Sequence, residues 1–242
     1  MKVYRIAEMN IAVEARNERV YEYMRDYLID SDEYELYIEP DDEMIERERQ
    51  IGEEIHQRAQ SDYMCETVAI LRVICDYIIN KGGFFLHCSC LKYKGEAIIF
   101  TAPSGTGKST HSSLWRRHFG DEVEMINDDK PLVREKDGRF YIYGTPWRGK
   151  HGIGSNISAP IRAIVFIRQE HENTAEDIEP FEALSLLMQQ TVLPTDSSKD
   201  MSTLLDLLDR MIESVQMYKL GCTISDEAVT TIHDKIYKDL HY

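Results

Sequence analysis

Residues 97–119 read AIIFTAPSGTGKSTHSSLWRRHF. The apolar run 97–101 is followed by a loop that contains Gly105 and Gly107, and residues 108–119 then show helical spacing. A strand, a glycine-containing loop and a helix in this order form the unit in which phosphate-binding loops occur. The stretch therefore predicts an α/β fold with a candidate ligand site at the start of the helix.

The loop fits the phosphate-binding pattern except at its first glycine, which is replaced by Ala102. Its two remaining glycines let backbone N–H groups point inward, and the helix adds the positive end of its dipole. Lys108 is placed to reach the β- and γ-phosphates of a nucleotide, and Ser109 is placed to ligate Mg²⁺. A plain strand–helix turn is the alternative. The predicted nucleotide-binding residues are Ala102, Pro103, Ser104, Gly105, Thr106, Gly107, Lys108, Ser109 and Thr110.

An acidic pair follows the next apolar segment. Residues 123–126 are expected to form a short strand that ends at Asn127, and Asp128 and Asp129 come next. Adjacent side chains on a strand point to opposite sides, so the two carboxylates are expected to have different roles. We assign Asp129 as the base that takes a proton from an acceptor hydroxyl and Asp128 as the metal-side carboxylate. The reverse assignment and a solvated turn are the alternatives.

The clearest change of pattern along the chain is at Lys81-Gly82-Gly83, which predicts a small α+β segment over 1–80 and a nucleotide-binding domain over 81–242. In the first part we expect strands at 3–13 and 34–38 and helices at 43–58 and 61–79. In the second part we expect strands at 84–93, 97–101, 123–126 and 163–168, a hairpin over 131–143 that turns at Asp137-Gly138, and helices at 108–119, 180–190, 201–218 and 226–240, with Gly221 as a helix stop. Strands that precede helices and mix with hairpins indicate a mixed sheet.

Composition limits the classes of partner. The formal net charge is −15, and residues 1–80 alone carry −11, which argues against a nucleic-acid partner. An acidic solvated face or a preference for basic partners accounts for that imbalance.

Five cysteines, an odd number, and the lack of an export segment favour a cytoplasmic protein with reduced thiols, and we interpret the pair Cys88 and Cys90 as packing residues. No apolar run is long enough to suggest a membrane partner.

These residues resemble the HPr kinase/phosphorylase family, whose P-loop domain is similar to that of phosphoenolpyruvate carboxykinase. In that family a catalytic histidine stands on the strand leading into the loop, and His87 has the matching distance of 15 positions before Ala102. Paired aspartates match Asp128 and Asp129, the second resembling the acid/base residue. The resemblance implies a mixed-sheet P-loop domain with a helical C-terminal region and ATP- and Mg²⁺-dependent phosphorylation of a serine hydroxyl. A core histidine is the alternative for His87.

Residues 144–150, GTPWRGK, are also typical of small HPr-kinase-like proteins, including ones encoded beside peptide-modifying enzymes. Trp147 is expected to supply an apolar wall, and Arg148 and Lys150 to neutralise transferred phosphate. A rigid surface loop is the alternative. The family's magnesium-binding glutamate corresponds to Pro146 here, and the arginine that supports reverse phosphorolysis has no counterpart between 169 and 209.

The sequence therefore predicts an ATP-dependent kinase that phosphorylates a hydroxyl group of a protein or peptide, with a ribosomally made peptide precursor among the candidates. A carboxykinase-like lyase and a nucleotide-sensing or peptide-binding module without turnover are the rival functions. The amphipathic helices after Pro180 offer a surface for homo-oligomer formation, with a core role as the alternative.

Overall fold

Alternating apolar residues in short segments build two β-sheets in the computed structural model, which describes residues 1–57, 59–195 and 198–238. The first sheet has the strand order β3-β1-β2-β4. Its strands are β1 (Lys2–Ile6), β2 (Met9–Val13), β3 (Leu28–Ile29) and β4 (Leu36–Ile38). Helices α1 (Glu18–Tyr23), α2 (Asp42–His56) and α3 (Asp62–Ile79) belong to the same part of the chain.

The second sheet has nine strands within the described residues. Its main order is β5-β9-β10-β11-β7-β6-β8, and β13 pairs with both β11 and β12. The strands are β5 (Gly83–Phe85), β6 (Cys88–Tyr93), β7 (Glu96–Thr101), β8 (Val123–Asn127), β9 (Leu132–Lys136), β10 (Arg139–Tyr143), β11 (Ser158–Gln169), β12 (Thr174–Asp177) and β13 (Gln216–Cys222). Because β11 runs parallel to β7 and β13 while the other pairs are antiparallel, the prediction of a mixed α/β fold is confirmed.

Four helices cover the two faces of the second sheet. Along β7, Ile98 and Phe100 face α4 (Lys108–Phe119) and α7 (Asp226–Lys238), whereas Ala97 and Ile99 face α5 (Pro180–Gln190) and α6 (Ser198–Ser214). Both faces of this strand are buried, which explains its unbroken apolar run. None of the described helices combines the length and the apolar character needed to cross a bilayer.

The structure confirms most of the predicted elements and corrects several. The strand expected at 3–13 is a hairpin, because Ala7 and Glu8 have left-handed backbone angles and reverse the chain. The strand expected at 84–93 is divided between β5 and β6, which pair with different neighbours, β9 for the first and β7 for the second. Strand β4 is shorter than the predicted 34–38, and α2 ends at His56, where Gln57 has left-handed backbone angles. The described part of α7 runs to Lys238, and the predicted helical positions 58, 239 and 240 lie outside the described residues.

The helix predicted over 201–218 was wrong at its C-terminal end. Helix α6 stops at Ser214, and residues 216–222 form β13, a buried strand parallel to β11. Gly221, expected as a helix stop, lies inside that strand, where an added Cβ would approach the side chains of Glu170 and Thr174 at 2.9 Å. The C-terminal region is therefore not only helical, since β12 and β13 complete the sheet.

Candidate functional site

The loop at residues 102–107 joins the end of β7 to the start of α4. Gly105 and Gly107 have positive φ angles of 81° and 119°, and an added Cβ at either would meet no atom within 4 Å. The loop is thus bent by its glycines and open on their side. Pro103, Ser104 and Gly105 are exposed, whereas Ala102 is buried.

The first turn of α4 carries free backbone donors. Its N-cap is Gly107, which offers no side-chain cap, and no acidic residue lies in the turn. Ser109 and Thr110 are exposed there. Lys108 is 8% exposed, and its Nζ donates to the carbonyl oxygens of Ala102 at 2.8 Å and Pro103 at 3.4 Å. This arrangement concentrates positive potential in the loop.

Strand register brings the acidic pair to the same edge of the sheet. Cys88 at the start of β6 lies opposite Thr101 at the end of β7, and Cys90 lies opposite Asn127 at the end of β8. The backbone N–H of Cys88 donates to the carbonyl oxygen of Asp129 at 3.0 Å. Burial lowers the pKa of Lys108, while the charges of Asp129 and Asp128 oppose this shift.

The turn after β8 is held by a buried amide. The Oδ1 atom of Asn127 accepts from the backbone N–H groups of Asp129 at 2.8 Å and Lys130 at 3.1 Å. Its Nδ2 donates to the carbonyl oxygen and the hydroxyl of Thr145, at 3.0 and 3.2 Å. The Thr145 hydroxyl in turn donates to the carbonyl oxygen of Lys130 at 2.6 Å. Asn127 and Thr145 are fully buried, so they fix the backbone of the turn that carries the aspartates.

Asp129 lies between a histidine and a lysine. Its Oδ1 is 3.4 Å from Nε2 of His87, and its Oδ2 is 2.6 Å from Nζ of Lys130. Burial lowers the pKa of His87 to about 4; the charge of Lys108 acts in the same direction and that of Asp129 opposes it. His87 is therefore neutral at pH 7. It precedes β6, the antiparallel neighbour of β7, so the expected location on the strand leading into the loop is corrected.

Asp128 has different partners from Asp129, and both residues lie in the bend after β8 rather than in the strand. Its Oδ1 accepts from the hydroxyl of Ser89 at 2.7 Å, and Ser89 lies 2.8 Å from the hydroxyl of Ser112 on α4. Both serines are buried. Asp128 is thus connected to the helix that follows the loop, and Asp129 is connected to His87 and Lys130.

Arg148 approaches this edge from the loop after β10. Its Nη1 is 2.8 Å from Oδ2 of Asp26, and its guanidinium lies 5.4 Å from the ring centroid of Tyr27. Its Nε is buried and has no hydrogen-bond partner within the described residues. Burial, with the negative charge of Asp129 acting in the same direction, raises the pKa of Tyr23. The segment at residues 23–27 therefore lies beside the candidate site.

Trp147 and Lys150, two further residues that the sequence singled out in the 144–150 segment, lie away from the acidic pair. Trp147 is 3% exposed and packs edge-on against Phe85, with its Nε1 donating to the carbonyl oxygen of Thr67 at 3.0 Å. Its indole ring belongs to the core beneath the first sheet, so the apolar wall does not line the candidate site. Lys150 is exposed. Trp147 is therefore a core residue, neither a wall of the candidate site nor part of a surface loop. Within the segment, Gly149 lies beside the acidic pair, since an added Cβ there would be 3.1 Å from Cβ of Asp129.

Sequence reasoning missed Lys130, Ser89, Ser112 and the structural role of Asn127. Lys130 follows Asp129 directly, and Ser112 comes one helical turn after Ser109, so the spacing of Ser112 from Ser109 was a usable signal. Ser89 gave none, because its contact with Asp128 joins residues 39 positions apart.

A comparison with solved structures found a distant match to the Hpr(Ser) kinase/phosphatase from Coxiella burnetii, at 10% sequence identity and a TM-score of 0.33. The match covers 64% of this chain and 97% of that chain. No protein-family model matches the sequence. No curated protein matches it either. The relationship reported by the structural match is a distant one.

Proposed function

We propose that the protein is an ATP- and Mg²⁺-dependent kinase that transfers the γ-phosphate to a hydroxyl group, with a serine of a protein or peptide as the expected acceptor. The observation that carries the proposal is that the end of β7, which leads into the loop and Lys108, and the end of β8, which leads into Asp129, lie at the same edge of the sheet. A cation for phosphate and a carboxylate for the acceptor's proton are two groups that phosphoryl transfer needs.

The open loop suits a triphosphate. The uncapped N–H groups at the start of α4 would bind phosphate oxygens, and no acidic residue in the first turn opposes them. Lys108 would exchange its hydrogen bonds to the carbonyl oxygens of Ala102 and Pro103 for contacts with the β- and γ-phosphates. That exchange replaces two neutral acceptors with charged ones and is favourable.

Magnesium would be held jointly by the protein and the nucleotide. Within residues 1–57, 59–195 and 198–238 no cluster of three or more His, Cys, Asp or Glu side chains is arranged to hold a metal by itself. Mg²⁺ usually takes one or two carboxylates and completes its shell with phosphate oxygens and water. The Ser109 hydroxyl and the Asp128 carboxylate fit that requirement. When bound, the ion supplies charge neutralisation on the phosphate oxygens.

Asp129 would orient the acceptor hydroxyl and take its proton as the acceptor oxygen forms a bond to the γ-phosphorus. The bond from that phosphorus to the bridging oxygen breaks, and the electron pair leaves with ADP. Neutral His87 would keep the Asp129 carboxylate in place, and Lys108 and Arg148 would stabilise the negative charge on the transferred group. Positioning and charge stabilisation then supply most of the acceleration.

The test is mass spectrometry of candidate acceptors, chiefly peptides and proteins encoded beside this gene, after incubation with ATP and Mg²⁺. The wild-type protein is expected to add one phosphate. Lys108→Met, which keeps the volume of a buried side chain, should weaken both ATP binding and transfer. Asp129→Asn should abolish transfer and leave ATP binding largely intact, and Asp128→Asn is its matched control, expected to raise the Mg²⁺ requirement. Full phosphate transfer by the Asp129→Asn variant would contradict the assignment of Asp129 as the base.

A nucleotide-sensing module without turnover is the second candidate. Two observations favour it: both oxygens of Asp129 are engaged, by His87 and Lys130, and Arg148 is paired with Asp26. Such a protein would bind ATP with Mg²⁺ and form no ADP with any acceptor. Isothermal titration with ATP, combined with an assay for ADP release, separates the two functions.

A further inference from the structure

A chain of buried hydroxyl groups connects Asp128 to the helix that begins at Lys108. Ser89 on β6 contacts Oδ1 of Asp128 at 2.7 Å and the hydroxyl of Ser112 on α4 at 2.8 Å. The Ser112 hydroxyl is also 3.2 Å from the carbonyl oxygen of Ser109. Ser89 is fully buried and Ser112 is 2% exposed. Buried hydroxyl groups are costly unless they are hydrogen-bonded, and here each one is.

The number of available protons fixes which group donates and which accepts at each hydrogen bond of this hydroxyl chain. Each hydroxyl has a single proton, and an ionised carboxylate can only accept. Ser89 must therefore donate to Asp128, which leaves its oxygen as the acceptor for Ser112. The 2.8 Å separation between the two serine oxygens is shorter than the 3.2 Å contact from Ser112 to the Ser109 carbonyl. The chain runs from Ser112 to Ser89 to Asp128.

The second carboxylate oxygen of Asp128, Oδ2, differs in its hydrogen bonding from the two carboxylate oxygens of Asp129. Among the residues that the structure describes, Oδ2 of Asp128 accepts no hydrogen bond, whereas Asp129 contacts His87 through one oxygen and Lys130 through the other. One carboxylate is thus anchored through a single oxygen, and its second oxygen remains available. A metal-side carboxylate needs this arrangement.

We infer that Ser89 and Ser112 are positioning residues that fix Asp128 relative to the first turn of α4. The inference rests on the proposed function, in which Ser109 and Asp128 hold Mg²⁺ from two different elements. Ser112 lies one turn after Ser109 on α4. The hydroxyl chain therefore joins α4, which carries the Ser109 ligand, to the side chain of the second ligand, Asp128. Packing alone would set the distance between β8 and α4 without orienting a carboxylate oxygen.

The experiment compares Ser89→Ala and Ser112→Ala with Ser113→Ala, an exposed neighbour on the same helix, in the full chain. Isothermal titration measures ATP affinity once with Mg²⁺ and once with EDTA. Because a hydrogen bond to a charged group is lost, Ser89→Ala should weaken ATP binding in Mg²⁺ by about tenfold or more and leave binding in EDTA unchanged. Ser89→Thr, which retains the donor, should restore the affinity, and Ser113→Ala should behave as wild type.

A double-mutant cycle tests whether the hydroxyl chain acts through Asp128. In an Asp128→Asn background, Ser89→Ala should have little further effect on affinity in Mg²⁺, because the two side chains act as one unit. Thermal unfolding checks that each variant is folded, and Ser112→Ala serves in place of Ser89→Ala if the latter is not. Equal losses in Mg²⁺ and in EDTA, or no loss in either, would overturn the inference.

The same titrations keep this inference separate from the kinase proposal. Wild-type protein that binds ATP in Mg²⁺ but transfers no phosphate overturns the kinase, while a loss confined to Mg²⁺ in Ser89→Ala still supports the positioning role. Wild-type protein that binds no ATP under either condition overturns both.

Discussion

Arg148 and Asp26 form an ion pair, with Nη1 and Oδ2 2.8 Å apart, that joins the loop after β10 to the segment after α1. The Arg148 side chain is 16% exposed and that of Asp26 is 50% exposed. Solvent screens a pair of this kind, so its contribution to the free energy of unfolding is at most about 1 kcal/mol. In the proposed function its larger effect would be on the charge available to a ligand, because Asp26 would compete with a phosphate for the same guanidinium.

Replacement of Asp26 by Asn should therefore lower the ATP concentration that the reaction needs. We expect the half-saturating ATP concentration to fall severalfold and the melting temperature to change little, because the substitution removes the competing charge and keeps the shape of the side chain. Steady-state kinetics at varied ATP concentration measure the effect, and Asp30→Asn, an exposed carboxylate in the same region, is the control. A lower maximal rate without a change in half-saturation would indicate instead that Asp26 positions Arg148.

Asn127 should matter more to stability than any charged residue of the site. Asn127→Ala removes the acceptor of the Asp129 N–H group, one of the two acceptors of the Lys130 N–H group and the donor to Thr145, and we expect a loss of roughly 2–4 kcal/mol in the free energy of unfolding. Asn127→Asp retains an acceptor for the two N–H groups but places a carboxylate against the Thr145 carbonyl oxygen, so it should be destabilised as well. Urea unfolding measures both. A loss below about 0.5 kcal/mol in Asn127→Ala would contradict this role.

Local patterns in the sequence predicted the unit that carries the site. The apolar run of β7, the two glycines and the helical spacing of α4 are all short-range signals, and the structure places α4 over the predicted residues 108–119. The hairpin between β9 and β10 also turns where expected, because Asp137 and Gly138 have the left-handed angles of a two-residue turn.

The error over 216–218 and the missed ion pair of Arg148 arose where long-range contacts decide the structure. The sequence of β13 continues the helical pattern of α6, yet these residues become a strand because β11 offers a free parallel edge. The ion pair of Arg148 with Asp26 likewise joins residues 122 positions apart. Neither contact leaves a periodic signal in one sequence. The roles assigned to His87, Asp128, Asp129 and the loop residues remain predictions.

Two glycines of one loop allow the geometry around Asp129 to be tested. Gly149 and Gly152 have similar positive φ angles of 67° and 62°, but an added Cβ at Gly149 would lie 3.1 Å from Cβ of Asp129, whereas at Gly152 it would meet no atom within 4 Å. Both Ala variants should lose about 1–2 kcal/mol from backbone strain.

Only Gly149→Ala should also displace Asp129. We expect its phosphate transfer to fall by at least tenfold relative to Gly152→Ala, because Asp129 is the base in the proposed function and a small displacement of such a group is costly. Chemical denaturation and turnover measured on the same preparations separate the two effects. Equal turnover in both variants would show that the position of Asp129 is not critical for the reaction.

His111 on α4 should make stability depend on pH. Its Nε2 accepts a hydrogen bond from Nε1 of Trp115 at 3.2 Å, and burial lowers its pKa to about 4, against an ordinary value of 6.5. The unfolded chain therefore binds a proton at this residue between pH 6.5 and 4 while the folded protein does not. The stability it contributes is present above pH 6.5 and is lost as the pH falls toward 4.

A substitution at His111 should reduce this dependence. In His111→Gln the unfolding free energy should fall less steeply over that pH range than in the wild type, whatever its absolute value, because one proton-binding site of the unfolded chain has been removed. Urea unfolding at a series of pH values measures the slopes.

His118→Gln, at an exposed position on the same helix, is the control and should keep the wild-type slope. His87 contributes in the same direction, since its pKa is also lowered to about 4, so a slope should remain in His111→Gln. Identical slopes in wild type and His111→Gln would mean that His111 is as easily protonated in the folded protein as in the unfolded chain.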